Sequence, residues 1–525
     1  MLKKALAIIL MVCMLAVIPA GCGKGDDESQ DVELVWYTFI GEQSELRRAN
    51  DYINEELAKV MPNTTLKIVQ DPGFAAKWSM WMASGEEIDI SWTGYMVSMQ
   101  TEVEADSYLP LDDLIDKYGD AIKEESKEFN VEYETGKFKG VTYAIPNLQP
   151  IMALSPYLSL PPELFEYFDL DKFIAACEKT TKLNREMLDV IDSYFDKVFA
   201  SGKVNSDTIS DRASLGSIFQ YIATRGYDWV GTTMGDCWMC YDAFDDDAQI
   251  VSFFETEEFK MFCEYAAKWK EKGYVPADVM MSSTSDSRKS ILFGYSNEIP
   301  FNTEEGNEHL KKIVNQDGEA TEIHVLVDTL DQKFLGTNSF GSLGTYTCLP
   351  YTCRNPERAI KLINLLKTDE GIDLFNAIVY GIEGRHYTVK HCDEYDDDVA
   401  YGVDYTIQPE RDCLYGIPHW EIGNVYRCYR TPNILDGQKE FCLNYIQNIR
   451  PTLHKTKYYN FQPETSAAKV EYQNCQTVIG EHNGYLVNGV EGSNWKEKYD
   501  LMMKELNKNG LEKIKENLTE QAKSK

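Results

Sequence analysis

Between Val32 and Trp92 the chain alternates between two periodicities, and this alternation restricts the fold more than any other feature of the sequence. Val32 to Phe39 (VELVWYTF) is β-branched and aromatic, as a strand requires. From Ser44 to Val60 the period lengthens, with Leu46, Ala49, Ile53, Leu57 and Val60 at helical spacing, until Pro62-Asn63 ends the run. Thr65 to Val69 reads as a second strand. Phe74 to Ser84 reads as a second helix with Trp78 and Trp81 on one face, and Ile88 to Trp92 as a third strand. Strand–helix–strand–helix–strand predicts a parallel sheet covered by helices on both faces, hence an α/β fold. In such sheets ligands bind beyond the carboxyl ends of the strands. Those ends carry Trp36 and Tyr37 in the first strand, and Trp92 and Tyr95 at and after the third. Trp78 and Trp81 are expected in the core.

Further on, helical patterns run from Pro162 to about Ala200 and from Thr256 to Lys272. Asn355-Pro356 opens a helix with Ala359, Ile360, Ile363 and Leu366 on one face; Asn355 is expected to cap it, and Pro356 suits the first helical position. Two amphipathic helices close the chain. Trp495, Tyr499, Met502 and Leu506 line one, Gly510 can end it in a left-handed cap, and Leu511, Ile514 and Leu518 line the other.

The N-terminus reads as an export signal. Lys3 and Lys4 precede an apolar run, Ala5 to Ile18, too short to span a hydrocarbon core of roughly 30 Å as a mature helix. Pro19-Ala20-Gly21-Cys22 follows, and Gly23 to Gln30 is a polar, glycine-containing tether. The formal net charge of −33 excludes the basic surface that nucleic acid needs, and it works against anionic ligands. The acidic runs Asp245 to Asp247 and Asp396 to Asp398 lack an EF-hand spacing and read as solvated loops. The cysteines of the body are scattered without a disulfide framework, in a chain too large to need staples, and most are expected to be small buried hydrophobes. Cys237 and Cys240 have a C-x-x-C spacing, with no second pair nearby to complete a zinc site. No cofactor or metal is expected.

Several segments, in order, carry a resemblance. They are the lipobox-like Pro19 to Cys22, ASGEEIDISWTGYM (Ala83 to Met96), YLPLDDLIDKYG (Tyr108 to Gly119) and VTYAIPN (Val141 to Asn147). CRNPERAIKLINLLKTDEGIDLFN (Cys353 to Asn376), YGIEGRHY (Tyr380 to Tyr387), HWEIGN (His419 to Asn424) and KELNKNGLEKIKENLTEQ (Lys504 to Gln521) continue the series. Together they resemble family 1 of the extracellular solute-binding proteins, in the branch related to lipoprotein LipO. Pro19 departs from the Leu usual at that lipobox position. The resemblance implies a two-lobed periplasmic-binding-protein-like fold (type II), each lobe a mainly parallel sheet flanked by helices, plus C-terminal helices. It implies a signal peptide over 1–21, and a lipidated N-terminus at Cys22 with a tether over 22–30. The first lobe would comprise 31–146 and 285–346, and the second 147–284 and 347–525.

The implied function is ligand capture at the outer face of a Gram-positive bacterial cell membrane, for an ABC importer whose permease subunits are the partners. The protein would act as a monomer, bound to the membrane only through its lipid. An oligosaccharide is the expected ligand, because a pyranose offers apolar C–H faces to aromatic rings and a belt of hydroxyls to planar polar groups. Trp36, Tyr37, Trp92, Tyr95 and Trp420 are the candidate platforms, with Tyr143 at the first crossing between lobes. Asn147, Gln149, Glu383, Arg385, Glu421 and Asn424 are the candidate hydrogen-bonding groups. His386 and Tyr387 are expected to be structural. Two other readings stay open: a glycoside-active enzyme, which needs only two carboxylates, and a peptide- or other-solute-binding protein on the same scaffold.

Overall fold

In the computed structural model, alternation along β1 (Val32–Thr38) sorts its side chains onto two faces. Leu34 and Trp36 enter one apolar core, Val35 and Tyr37 another. Residues 27–523 are described apart from 95, 130–135, 149–156, 205–221, 231–237, 278, 281–305, 315–318, 328–333, 336–344, 393–396, 403–413, 432–436, 460, 462 and 465. Helix α1 (Leu46–Val60) covers the first face through Ala49, Ile53 and Leu57. Strand β2 (Thr64–Gln70) returns parallel to β1, with Trp36 opposite Ile68. Helix α2 (Phe74–Ser84) covers the second face through Phe74, Trp78, Trp81 and Met82. Gly85 ends α2 in the left-handed region at φ 71°. Strand β3 (Ile90–Gly94) then lies parallel on the other side of β1.

Helix α3 (Asp120–Glu128) and strand β4 (Ala144–Pro146) follow. A strand arriving two hundred residues later, β5 (Thr345–Cys348), inserts antiparallel between β3 and β4 and pairs Thr347 with both Trp92 and Ile145. The sheet order is therefore β2-β1-β3-β5-β4. Five strands at about 4.8 Å spacing make a face wider than one helix of about 10 Å diameter can cover. Two further helices complete the first face: α4 (Pro356–Leu365) and α5 (Ile372–Tyr380) share a core with α1, β1 and β2.

That packing corrects the expected division of the chain. The run from Leu349 to Ile422 contributes to the core of the first sheet, although 347–525 is expected in the second lobe. The periodicity of α4 showed that it was amphipathic but not which sheet it would serve. The strand Ala320–Leu326 moves the opposite way. It pairs with Tyr157–Leu160, and Val325 and Val327 pack in a second core with the helices Arg185–Ala200, Glu257–Glu271, Lys469–Val487, Trp495–Lys508 and Leu511–Lys523. Among the described residues the strands of this second body form two three-stranded antiparallel sheets, with one short parallel pair, Phe334–Leu335 with His454–Lys455, rather than the mainly parallel sheet expected there.

The C-terminal helices match their sequence pattern: Trp495, Met502, Leu506, Leu511, Ile514 and Leu518 are buried, and Gly510 sits between the helices at φ 105°. Trp78 and Trp81 are core residues, as expected. Asn355 precedes α4, but its side chain makes no capping bond. The buried Asp89 ties down the approach to the helix: its Oδ1 receives the N–H groups of Arg354 and Asn355 while its Oδ2 receives that of Val35. At the amino ends of β1 and β2, Arg358 donates to the carbonyls of Asp27 and Asn63, and Lys361 pairs with Glu28. The first described residues are thereby tied to α4. Cys22 and the leader lie outside the described residues, and no helix among those described is long and apolar enough to cross a membrane. Eight described cysteines are free thiols, six of them buried; Cys237 lies outside the described residues.

Candidate functional site

The strand order reverses at β1, with β2 to one side and β3 to the other, the arrangement at whose carboxyl ends open α/β sheets bind ligands. Phe39, the residue after β1, stands there. Its ring meets Trp92 edge-on at 5.0 Å between centroids, Phe74 at 6.4 Å, and Trp420 at 5.5 Å with 36° between the planes. Trp420 arrives on a single helical turn, His419–Ile422. Phe39 and Trp420 are half-buried, whereas Trp92 is 0% exposed.

One carboxyl joins these rings to the far strands of the sheet, β4 and β5. The Phe39 N–H, one residue past the β1 ladder, donates to Glu421 Oε1 at 3.0 Å. Glu421 is buried, and its Oε2 is sealed from solvent without a hydrogen-bond partner. Removing a carboxylate from water disfavours its charged form, and burial pushes the Glu421 carboxyl up to about 8. Its backbone carbonyl accepts from Asn147 Nδ2 at 3.0 Å, and Asn147 Oδ1 accepts from Thr347 Oγ1 at 2.9 Å. Asn147 follows β4, and Thr347 lies in β5. The two ring nitrogens of His419 are also sealed without partners, and burial lowers this imidazole to about 4.

Three residues after Glu421, Asn424 donates to Glu125 Oε1 at 2.7 Å. Glu125 Oε2 is paired with Lys367, both side chains being 4% exposed, and Arg427 Nε lies 3.5 Å from Oε1. A cavity of about 10 Å³, room for one water, separates Asn147 and Thr347 from Lys367 and Asn424. A larger one of about 360 Å³ opens beyond Asn424 and is lined by Phe129, Tyr426, Arg427, Tyr429 and Lys439 among others.

The structure thus brings Asn147, Trp420, Glu421 and Asn424 together and rearranges the rest. Trp36 is 1% exposed and packs against α1, so it is a core residue rather than a platform. Tyr37 is buried on the opposite face, its hydroxyl donating to Glu86 at 3.0 Å and its ring edge-on to Trp81 at 4.9 Å. Trp92 is likewise core, because β3 runs to Gly94 and places it mid-strand. Tyr143 is half-buried against the same core. Glu383 is exposed, and Arg385 is held by Glu45 at the start of α1 through a 2.6 Å ion pair that keeps the Glu45 carboxyl below its ordinary range. Between them and α5, Gly381 adopts φ 78°, where a Cβ would lie 2.3 Å from His386 Nδ1. His386 Nδ1 accepts the Ile382 N–H at 2.9 Å, so YGIEGRHY is a locked turn. Tyr95 and Gln149 lie outside the described residues. Phe39 was missed; its position as the last ring before Gly41 was the available signal. Among the described residues Glu481, His482 and Glu505 have metal-ligand spacing, but His482 Nε2 is already bonded to Glu505 at 2.8 Å.

Comparison with known proteins gives the class first. The fold is that of the two-lobed solute-binding proteins. It matches the N-glycan transport solute-binding protein NgtS of Streptococcus pneumoniae with a TM-score of 0.68 over 94% of this chain and 98% of that one, at 16% identity. It also matches a human-milk-oligosaccharide-binding, ABC-transporter-associated solute-binding protein of Bifidobacterium longum infantis with a TM-score of 0.59, at 15% identity over 93% and 98% of the two chains. In sequence, the chain is a homologue of a carbohydrate ABC transporter substrate-binding protein of Streptococcus pneumoniae, 25% identical over 460 residues, 83% of this chain and 82% of that one. Residues 457–524 match a domain of unknown function, DUF3502.

Proposed function

We propose that this protein is the extracellular substrate-binding component of an ABC importer and that its ligand is an oligosaccharide. The homology to a carbohydrate ABC transporter substrate-binding protein along 83% of the chain carries the reading. NgtS, a match in fold, is known in complex with Man1GlcNAc and with Man5GlcNAc. The half-buried rings at the β1/β3 crevice supply the apolar platform that a pyranose face needs. Tyr143 and Trp420, with Tyr95 and Gln149 beyond the described residues, form the ligand-facing set.

The same reading places the lipid on Cys22, with the mature chain at the outer face of the cell membrane. Two acyl chains give the stable anchoring that one does not. The protein works as a monomer that presents its ligand to the permease and performs no chemistry of its own.

A thermal-shift screen against a glycan panel that includes Man1GlcNAc tests the assignment. A ligand that binds only the folded form raises the melting temperature, by about 2.7 kcal/mol of stability at a hundredfold excess over Kd. No shift with any glycan, or sustained cleavage of one, overturns the reading.

A further inference from the structure

The residues at the end of β1 divide the labour of ligand contact differently from the sequence pattern. Trp36, Tyr37 and Trp92 are sealed, so their faces are occupied by protein. Phe39 and Trp420 keep part of their surface, and their planes are inclined by 36°, so the two rings are not stacked on one another. Phe39 is backed by Trp92 and Phe74. Those contacts support the ring, but they do not set its backbone. The ladder between β1 and β2 ends at Thr38 opposite Gln70, and the next N–H has no strand to receive it. An unsatisfied N–H in a packed region costs about as much as a lost hydrogen bond. Glu421 Oε1 takes it at 3.0 Å. The same residue adjoins Trp420 in sequence and is fixed through its carbonyl to Asn147, which follows β4, and through it to Thr347 in β5.

Resting on the reading under Proposed function, we propose that Phe39 is the ring that meets a pyranose face of the ligand, together with Trp420, and that Glu421 is its positioning residue. The carboxyl acts as an acceptor for the Phe39 backbone and does not touch the sugar. An acid held neutral by burial retains its carbonyl oxygen as that acceptor, and a glutamine side chain offers the same oxygen. The two functions are separable by substitution.

The test is calorimetric binding to the whole protein. The probe is Man1GlcNAc or, should another glycan of the panel raise the melting temperature more, that glycan. Phe39→Ala is expected to weaken binding at least tenfold and Phe39→Trp by less than threefold. Glu421→Ala is expected to weaken it at least tenfold and Glu421→Gln by less than threefold. In a Phe39→Ala background Glu421→Ala is expected to cost less than twofold more, because a residue acting through Phe39 has nothing left to position. If Glu421→Ala fails to fold, Glu421→Gln and Phe39→Ala still decide the matter. Unchanged affinity in Phe39→Ala overturns the platform. Equal losses in Glu421→Gln and Glu421→Ala, or additive losses in the double variant, overturn the positioning role. A wild-type protein that binds no glycan instead removes the oligosaccharide reading itself.

Discussion

Two carboxyl groups buried in the first body, Glu125 and Glu421, belong to opposite electrostatic regimes. Glu125 is enclosed with Lys367, Asn424 and Arg427, so both of its oxygens face a cation or an amide. Glu421 has one backbone N–H on one oxygen and nothing on the other. Burial is common to both; the difference is in what was buried with them. A carboxylate can keep its charge in a low dielectric only where counter-charge and donors accompany it, and otherwise it takes up a proton. The paired site is a structural tie between α3 and the segment after α4. The solitary one is a neutral group whose single bond sets the backbone at the end of β1.

The largest effect expected from this contrast is on the paired side. Lys367→Met leaves Glu125 buried without its ammonium group, and unfolding by urea should show a loss of about 3–5 kcal/mol. A loss below about 1 kcal/mol would show that the Lys367–Glu125 pair does not tie α3 to the segment after α4.

The second prediction concerns the solitary acid. Its folded pKa is raised to about 8, so from the ordinary value of 4.5 up to 8 the folded state holds a proton that the unfolded chain has released. Stability therefore falls as pH rises through that window. Glu421→Gln should remove the slope, and relative to wild type it should gain on the order of 1–3 kcal/mol between pH 5 and pH 8. Parallel pH profiles for the two proteins would show that Glu421 is ionised in the native state.

The smallest effect belongs to His419, whose folded pKa is lowered to about 4. Between 6.5 and 4 the unfolded chain binds the proton and the folded one does not, so stability falls as pH drops through that interval. His419→Phe abolishes both that dependence and the two orphaned ring nitrogens, and it should raise the melting temperature slightly, by about 1 kcal/mol of stability at neutral pH. Destabilisation at neutral pH would indicate that the imidazole has a role in the packed turn.

The sequence made the contiguous half of the first sheet legible because every element from β1 to β3 packs against its neighbour in the chain. The period of two in β1 and of 3.6 in α1 each announced a face, and the faces were near at hand. It did not make β5 legible as the strand between β3 and β4, nor α4 and α5 as covers for the first sheet. Apolar periodicity reports that a face is buried and is silent about the surface that buries it. The site suffered from a smaller error of the same origin. Reading β3 as Ile88 to Trp92 put Trp92 at the tip, whereas the strand spans Ile90–Gly94 and encloses it. A shift of two residues preserves the face and changes only the depth, and pattern reading is insensitive to depth. The isolation of Glu421 had no local signal, since it depends on a turn brought in from nearly four hundred residues beyond β1.

The hold that Arg358 and Lys361 keep on Asp27 and Glu28 fixes where the chain enters the folded body. β1 then runs seven residues, about 23 Å, before Phe39 is reached. Whatever grips the polypeptide upstream of Asp27 therefore takes hold at the heel of the sheet, with the aromatic crevice at its toe. An attachment at that end would leave the opposite end of the sheet clear.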